Sequence, residues 1–191
     1  RPHCKGIVTA NTSPQLETKT WAEIAKWTKR CITAHWFRVT SGRGAMKMVH
    51  RDHPETWRVD GMAWRANQPE AFAGLHAATS TPFYLFDEAS GVPKSIFETA
   101  NGGMTDGEPM MFLFSNFTKA SGYFYESHTN LRHRYLCRQI DSRKAKMTNK
   151  AEIEKWIEDY GLDSDYVRVR VLGEPPNASA EQFIPTNIVD A

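Results

Sequence analysis

The stretch Pro82-Phe83-Tyr84-Leu85-Phe86-Asp87-Glu88 decides how the rest of this chain is read. An apolar run without alternation suggests a strand covered on both faces, and hence a parallel sheet. Two carboxylates stand where that strand ends. In open α/β sheets, ligands bind outside the carboxyl ends of the strands. An Asp there can hold a magnesium ion bound to nucleotide phosphates. The adjacent Glu can polarise a water for attack on the terminal phosphate. A strand that simply stops at a polar, capping Asp-Glu pair accounts for the same letters.

The pattern recurs one strand later. Met110 to Phe114 is apolar and runs into Ser115-Asn116-Phe117-Thr118. Asn116 can donate a hydrogen bond to a phosphate oxygen or to the attacking water; a plain Ser-Asn turn is the alternative. A third segment, Ile7-Val8-Thr9-Ala10-Asn11-Thr12-Ser13 with Gln15, ends a strand in hydroxyls and amides just as a helix opens. Such a turn can touch phosphates. Ser13 acting only as N-cap, with Pro14 at the first helical position, is the other reading.

Around these segments the elements fall into order. Lys5–Asn11 reads as a strand. The helix after Ser13 carries Leu16, Thr20, Ile24, Trp27 and Cys31 on one stripe, spaced to face a core. Trp36–Thr40 and Trp57–Trp64 read as strands, with residues 41–54 a polar loop between them. Pro69–His76 is a short helix or turn, and Pro93–Ala100 a helix begun by Pro. Gly122–Thr129 is helical, Arg134–Ile140 a further strand, and Asn149–Tyr160 a helix stopped by Gly161. Tyr166–Leu172 alternates as a strand, and 175–181 is a Pro/Asn/Ser-rich linker. The expected fold class is α/β, a mainly parallel sheet flanked by helices.

Composition narrows the classes. The chain has 191 residues, 40% hydrophobic and 24% charged, with 12% aromatic residues that exclude a disordered polymer. No apolar run is long enough to span a membrane. The three cysteines, Cys4, Cys31 and Cys137, lie far apart and form no zinc pair. Residues 1–52 hold ten Lys or Arg against three Asp or Glu, a net +7, while the remainder carries −5. A basic leading segment can face a polyanion, or can be a solvated helix face. His50 and His53 have no evident third metal ligand. Arg43, Arg51 and Arg65 are candidates for an arginine finger, or plain surface arginines.

Taken together, the motifs resemble the ATPase domain of the large terminase subunit, the motor that packages DNA into the heads of tailed phages. Phe83–Glu88, continued by Ala89-Ser90-Gly91-Val92-Pro93, is similar to that family's Walker B segment. Ser115–Thr118, followed by Gly122-Tyr123-Phe124, resembles its coupling motif. Thr9–Trp21 is similar to the motif after the family's first core strand. Arg168–Pro176 resembles the junction toward the nuclease domain. The resemblance implies a P-loop NTPase (RecA/ASCE-like) core using ATP and Mg2+. Asp87 would be the metal ligand, and Glu88 and Asn116 the catalytic residues. Asp87, Thr9 and Thr118 would form the nucleotide-binding set. Asn116 and Thr118 would also sense the γ-phosphate. Implied partners are double-stranded DNA, the small terminase subunit, the portal protein and further copies in a ring, in the bacterial cytoplasm and without a membrane.

Two departures qualify that picture. Phe117 stands where the family often has Pro. No G-x-x-x-x-G-K-[ST] loop occurs; Ser41-Gly42-Arg43-Gly44 lacks its Lys-Ser/Thr ending. Residues 1–174 are therefore expected to be a partial ATPase domain lacking its Walker A strand, and 175–191 a linker toward an absent nuclease domain. A fragment of that kind is expected to bind nucleotide weakly, to be inactive alone and to leave a gap inside its sheet. A helicase-like nucleic-acid ATPase and a catalytically inert assembly module are the rival readings.

Overall fold

The computed structural model describes residues 1–42, 45–77 and 79–177, so Arg43 and the expected linker beyond Asn177 lie outside the described residues. The chain divides into two compact units, Arg1–Phe114 and Ser115–Ala191. The first holds a six-stranded sheet: β1 (Lys5–Thr9), β2 (Phe37–Thr40), β3 (Lys47–His50), β4 (Arg58–Gly61), β5 (Pro82–Asp87) and β6 (Met110–Phe114). Their order is β2-β3-β4-β1-β5-β6. β4, β1, β5 and β6 run parallel, and β3 is antiparallel to both β2 and β4. The mainly parallel sheet flanked by helices is present as expected.

The antiparallel flank was not expected, since residues 41–54 read as a loop. β3 is four residues, Lys-Met-Val-His, and pairing on both of its sides makes it a strand. The expected internal gap is absent as well. β5 and β6 pair directly, from Phe83↔Met110 to Asp87↔Phe114, and the described strands form one continuous sheet that ends on β6.

Strand alternation sends neighbouring side chains to opposite faces. Val8 and Leu85 join a cluster with Leu16, Trp21 and Met46, so the helical segment 13–28 covers one face. The Trp21 indole donates to the Thr40 carbonyl at 2.8 Å, satisfying its one polar atom. Tyr84 and Phe86 point to the other face, against Phe72 and Phe97. The 3₁₀ turn Pro69–Phe72 and the helix Lys94–Gly102 carry those two rings. Phe86 and Phe97 are fully buried, with centroids 4.5 Å apart. Each such burial stabilises by about 1.5–3 kcal/mol.

The segment 13–28 is not one regular helix. It runs as α1 (Ser13–Gln15), a π-type stretch Leu16–Trp21, and α2 (Ala22–Thr28). Thr12, not Ser13, is the N-cap; its hydroxyl accepts from the Gln15 N–H at 3.3 Å. The helix ends at Thr28, and Trp27 is 56% exposed, so the expected core stripe stops short of Trp27 and Cys31. α3 is Lys94–Gly102, entered through Pro93, with Ile96, Phe97 and Ala100 buried.

The second unit contains α4 (Tyr123–His128), α5 (Lys150–Tyr160) and α6 (Asp165–Val167), the last continued by a π-type stretch Arg168–Leu172. Gly161, at φ 83°, stops α5 as the sequence predicted, and Asn149, expected as its first residue, is instead the N-cap, its side chain accepting from the Glu152 N–H. Two expected strands are absent. Arg134–Ile140 follows a 3₁₀ turn as irregular chain, with Leu136 87% and Ile140 70% exposed. Tyr166–Leu172 is helical, because Val167 and Val171, four apart, are the two valines buried against Ile153. Ser164 caps it by accepting from the Val167 N–H. Among the described residues no helix is long and apolar enough to cross a membrane.

Candidate functional site

The site grows out of a strained turn. Asp87 is the last residue of β5, and Glu88 follows in the left-handed region at φ 55°, ψ 43°. A non-glycine residue held there costs of order 1 kcal/mol or more and persists only where its surroundings fix it. Here Ala89, Ser90 and Val92 are buried around a 3₁₀ turn, Ala89–Gly91, that leads to Pro93 and α3. The buried residues that follow Glu88 and the paired strand that precedes it thus dictate its backbone, and the residue is left half-buried at the carboxyl end of the sheet.

The end of β1 supplies the groups that meet it. Asn11 donates from Nδ2 to Glu88 Oε2 at 2.9 Å, and the Trp64 indole donates to Asn11 Oδ1 at 3.2 Å. Asn11 is therefore oriented from one side by an indole and presents its amide to the acid on the other. Gln15 Nε2 lies 3.5 Å from Glu88 Oε1. Gly91 makes this arrangement possible, since a Cβ on it would stand 2.8 Å from Asn11 Nδ2.

Asp87 is held separately. The Thr20 hydroxyl donates to Oδ2 at 2.5 Å, and the Glu88 N–H donates to Oδ1 at 3.1 Å. Gln15 and Thr20 are five residues apart, a spacing that would diverge on an α-helix. The π-type stretch between them closes i to i+5 bonds and brings both toward the acid pair. Thr9 is 1% exposed, and its hydroxyl has no hydrogen-bond partner among the described residues.

The donor set sets a limit on metal binding. Among the described residues there is no group of three or more His, Cys, Asp or Glu able to hold an ion. Asp87 has spare lone pairs on both oxygens, since each accepts one bond. Mg2+ commonly takes one or two carboxylates and completes its shell with water and substrate phosphates. The residues fit an ion shared with a bound nucleotide, not a self-contained metal centre.

Asn116 and Thr118 belong to the second unit, where both are exposed. Phe117 between them is 7% exposed and packs on Phe124 and His128, each with centroids at 4.9 Å. The residue that departs from the family pattern is thus an aromatic anchor of that unit. Of the finger candidates, Arg51 donates from Nε to the His35 carbonyl at 2.9 Å, and Arg65 lies 3.5 Å from Gln68 Oε1. His50 is not on a loop; it ends β3, 8% exposed and stacked on Trp57 at 4.5 Å. Reading the sequence missed Trp64, whose alternating neighbours place it at the end of a strand. It also missed the role of Thr20, placed on the apolar stripe because its spacing fits an α-helix.

An acid pair on a strained turn, outside the carboxyl ends of parallel strands and met by amides from the segment after the neighbouring strand, has the position at which open α/β sheets bind ligands. Comparison makes that reading specific. The chain is 30% identical over 130 residues to a probable terminase large subunit of Enterobacteria phage P7, a match spanning 64% of this chain and 26% of that protein. Its fold superposes on the large terminase of a thermophilic bacteriophage with a TM-score of 0.66, covering 91% of this chain and 41% of that one at 14% identity. The same terminase in complex with ADP gives 0.59 over 82% of this chain and 37% of that one, at 15% identity. No protein-family model matches. The resemblance to the large terminase subunit therefore holds in sequence and in fold, and the chain spans about a quarter of the curated relative's length.

Proposed function

We propose that this chain is the part of a large terminase subunit that carries the water-activating and metal-binding acids of an ATP-driven DNA-packaging motor. The observation that carries the reading is Glu88, held in a left-handed turn at the end of β5 with Asn11 and Gln15 on its carboxylate. The terminase likeness and the ADP complex of the thermophilic phage's enzyme support it.

Asp87 would hold Mg2+ together with ATP phosphates, and the ion would offset charge on the transferring phosphoryl group. Glu88 acts as general base toward a water. Asn11 fixes one carboxylate oxygen by a donated bond, so the other oxygen is the one available to a water near Gln15. Thr20 keeps Asp87 from rotating. Asn116 and Thr118 act as γ-phosphate contacts that couple hydrolysis to movement; this rests on the likeness of Ser115–Thr118 to the family's coupling motif. The reading extends to double-stranded DNA, the small terminase subunit, the portal protein and a ring of copies as partners of the longer protein, in the host cytoplasm. Its nuclease activity would belong to residues outside this chain.

Because these 191 residues hold no Walker A loop, the chain alone binds ATP weakly and does not turn it over. A phosphate-release assay checks this; magnesium-dependent turnover abolished by Glu88→Gln overturns it. In a longer version of the protein that includes such a loop, Glu88→Gln lowers kcat by about 10²–10⁴-fold. Asn11→Ala lowers kcat by up to about 100-fold with KM little changed, because it misplaces the base without touching the nucleotide. Full turnover in Glu88→Gln removes the assignment.

A further inference from the structure

A row of side chains crosses the ends of three neighbouring strands. β4, β1 and β5 lie side by side and run parallel. Trp64 follows the end of β4, Asn11 the end of β1 and Glu88 the end of β5. The Trp64 indole donates to Asn11 Oδ1 at 3.2 Å, and Asn11 Nδ2 donates to Glu88 Oε2 at 2.9 Å. Two hydrogen bonds in series therefore lead from the end of β4 to the acid.

An Asn amide can sit either way round, because its oxygen and nitrogen ends are alike in size and differ only in hydrogen bonding. Packing does not choose between them here. A Cβ on Gly91 would stand 2.8 Å from Asn11 Nδ2 and 2.9 Å from Oδ1, so the wall at Gly91 meets both ends alike. The choice falls to hydrogen bonds. Turned over, the amide would set Oδ1 against Glu88 Oε2, two acceptors with no proton between them. It would also set Nδ2 against the indole N–H, two donors with no acceptor. The carboxylate alone favours the observed orientation, but Asn11 is only half-buried, and water can satisfy either end. The indole, which can only donate, supplies the second point of attachment. Held at both ends, the amide keeps its torsion as well as its orientation.

We infer that Trp64 is a positioning residue for ATP hydrolysis, acting on Glu88 through Asn11. The inference rests on the reading of Glu88 as the general base. Trp64 takes no part in the chemistry itself; it fixes the amide that fixes the carboxylate, and a base misplaced by on the order of 1 Å can lose about 100-fold in rate. The indole is carried by residues 62–65, a stretch without regular structure. Met62, Ala63 and Arg65 of that stretch border a cavity of about 370 Å³ together with Ser13 and Lys47. Asn11 and Glu88, by contrast, leave the ends of two strands paired to each other. Trp64 thus links the place of an irregular loop with open space beside it to the orientation of the base.

Trp64→Phe keeps an aromatic ring and removes the N–H. In the 191-residue chain, NMR follows the Asn11 side-chain amide and the Trp64 indole proton. Trp64→Phe shifts the Asn11 amide signals and makes their exchange with water severalfold faster, while the backbone signals of β1 and β5 stay in place. Reciprocally, Asn11→Ala speeds exchange of the indole proton, a measurement that does not depend on how Trp64→Phe folds. In a longer version of the protein that includes a Walker A loop, Trp64→Phe lowers kcat by about 10-fold with KM little changed, a smaller loss than Asn11→Ala gives. Trp64→Phe/Asn11→Ala is no slower than Asn11→Ala alone, because both act by one route, whereas a merely structural role would add to it. Unmoved Asn11 signals in Trp64→Phe, an unchanged indole proton in Asn11→Ala, or a double variant slower than Asn11→Ala overturns the inference. The NMR arm involves no turnover, so the two readings fail separately. Full kcat in Trp64→Phe beside an inactive Glu88→Gln sinks the role of Trp64 and leaves the base standing; full turnover in Glu88→Gln removes the base.

Discussion

β5 and β6 are neighbours with almost the same sequence pattern and opposite fates. Both start at or just after a proline, run through apolar residues and end on polar ones: Pro-Phe-Tyr-Leu-Phe-Asp-Glu against Pro-Met-Met-Phe-Leu-Phe-Ser-Asn. They pair in register over five residues. β5 lies between β1 and β6, with Tyr84 at 1% and Phe86 at 0% exposure. Among the described strands β6 is the last in the sheet, with Met110, Phe112 and Phe114 at 47%, 41% and 55%. The same letters are core in one strand and surface in the other, because burial belongs to the place in the sheet and not to the strand. The opposite edge shows what a solvent-facing edge usually looks like: β2 is four residues long and exposes Arg38 and Thr40.

The largest effect that tests this contrast is a paired truncation. Phe86→Ala removes a ring enclosed by Phe72, Tyr84 and Phe97 and costs about 3–5 kcal/mol. Phe112→Ala, with a large part of its ring already in water, costs about 1 kcal/mol or less. Urea unfolding of both variants reads the difference directly. Equal losses would mean that β6 is covered as well as β5, and the contrast would fail.

A second effect uses pH. Tyr84 donates to the Phe72 carbonyl at 2.6 Å, and burial pushes its hydroxyl up to about 12. The folded state therefore holds that proton more tightly than the unfolded chain, whose tyrosines titrate near 10. Tyr84 contributes its full share of stability below pH ~10 and loses it as pH rises toward about 12, a total on the order of 3 kcal/mol. Tyr135 in the second unit is also raised, by burial and by its bond to Tyr123, so part of the alkaline loss remains in any Tyr84 variant. Tyr84→Phe makes the stability curve between pH ~10 and ~12 flatter than the wild type. An unchanged slope would show that Tyr84 is not enclosed as β5 requires.

Much of this was legible in the sequence, for identifiable reasons. β1, β5 and β6 announce themselves because parallel strands near a sheet centre are apolar throughout. α5 does so through its stop at Gly161. The acid pair is conspicuous because carboxylates seldom end such a run. β3 was not legible, since Lys-Met-Val-His carries no pattern and owes its state to two partners. The helix at 165–172 was misread because Arg-Val-Arg-Val alternates, while its burial follows the four-residue step from Val167 to Val171. Thr20 and Trp64 were missed for a third reason. A π-type turn and a loop indole reach the acids through tertiary geometry that no local spacing encodes.

Gly91→Ala is a smaller perturbation that separates the two strand ends. The new methyl would stand 2.8 Å from Asn11 Nδ2, and the Asn11 side chain can swing away at modest cost. We expect a stability loss of about 1 kcal/mol, at the low end for overpacking. The main consequence is the loss of the Asn11–Glu88 bond. In the longer protein, Gly91→Ala therefore lowers kcat as Asn11→Ala does, and the double variant is no worse than either alone. Additive losses in that cycle would mean that Gly91 acts by some route other than Asn11.

The smallest effect on stability carries the sharpest test of β6 as an edge. Met110, Phe112 and Phe114 alternate along one face of a terminal strand, the kind of surface that pairs with other chains unless a charge interrupts it. Phe112→Lys places such a charge at mid-strand, at a half-exposed position where substitution costs about 0.5 kcal/mol. The wild-type chain should show concentration-dependent association in sedimentation velocity, and Phe112→Lys should sediment as a monomer over the same range. Arg38→Lys, the matching change on β2, should leave the wild-type behaviour untouched, since that edge is already charged. If Phe112→Lys associates as strongly as the wild type, the exposed rings of β6 are not an adhesive edge, and whatever joins the chains lies elsewhere on the molecule.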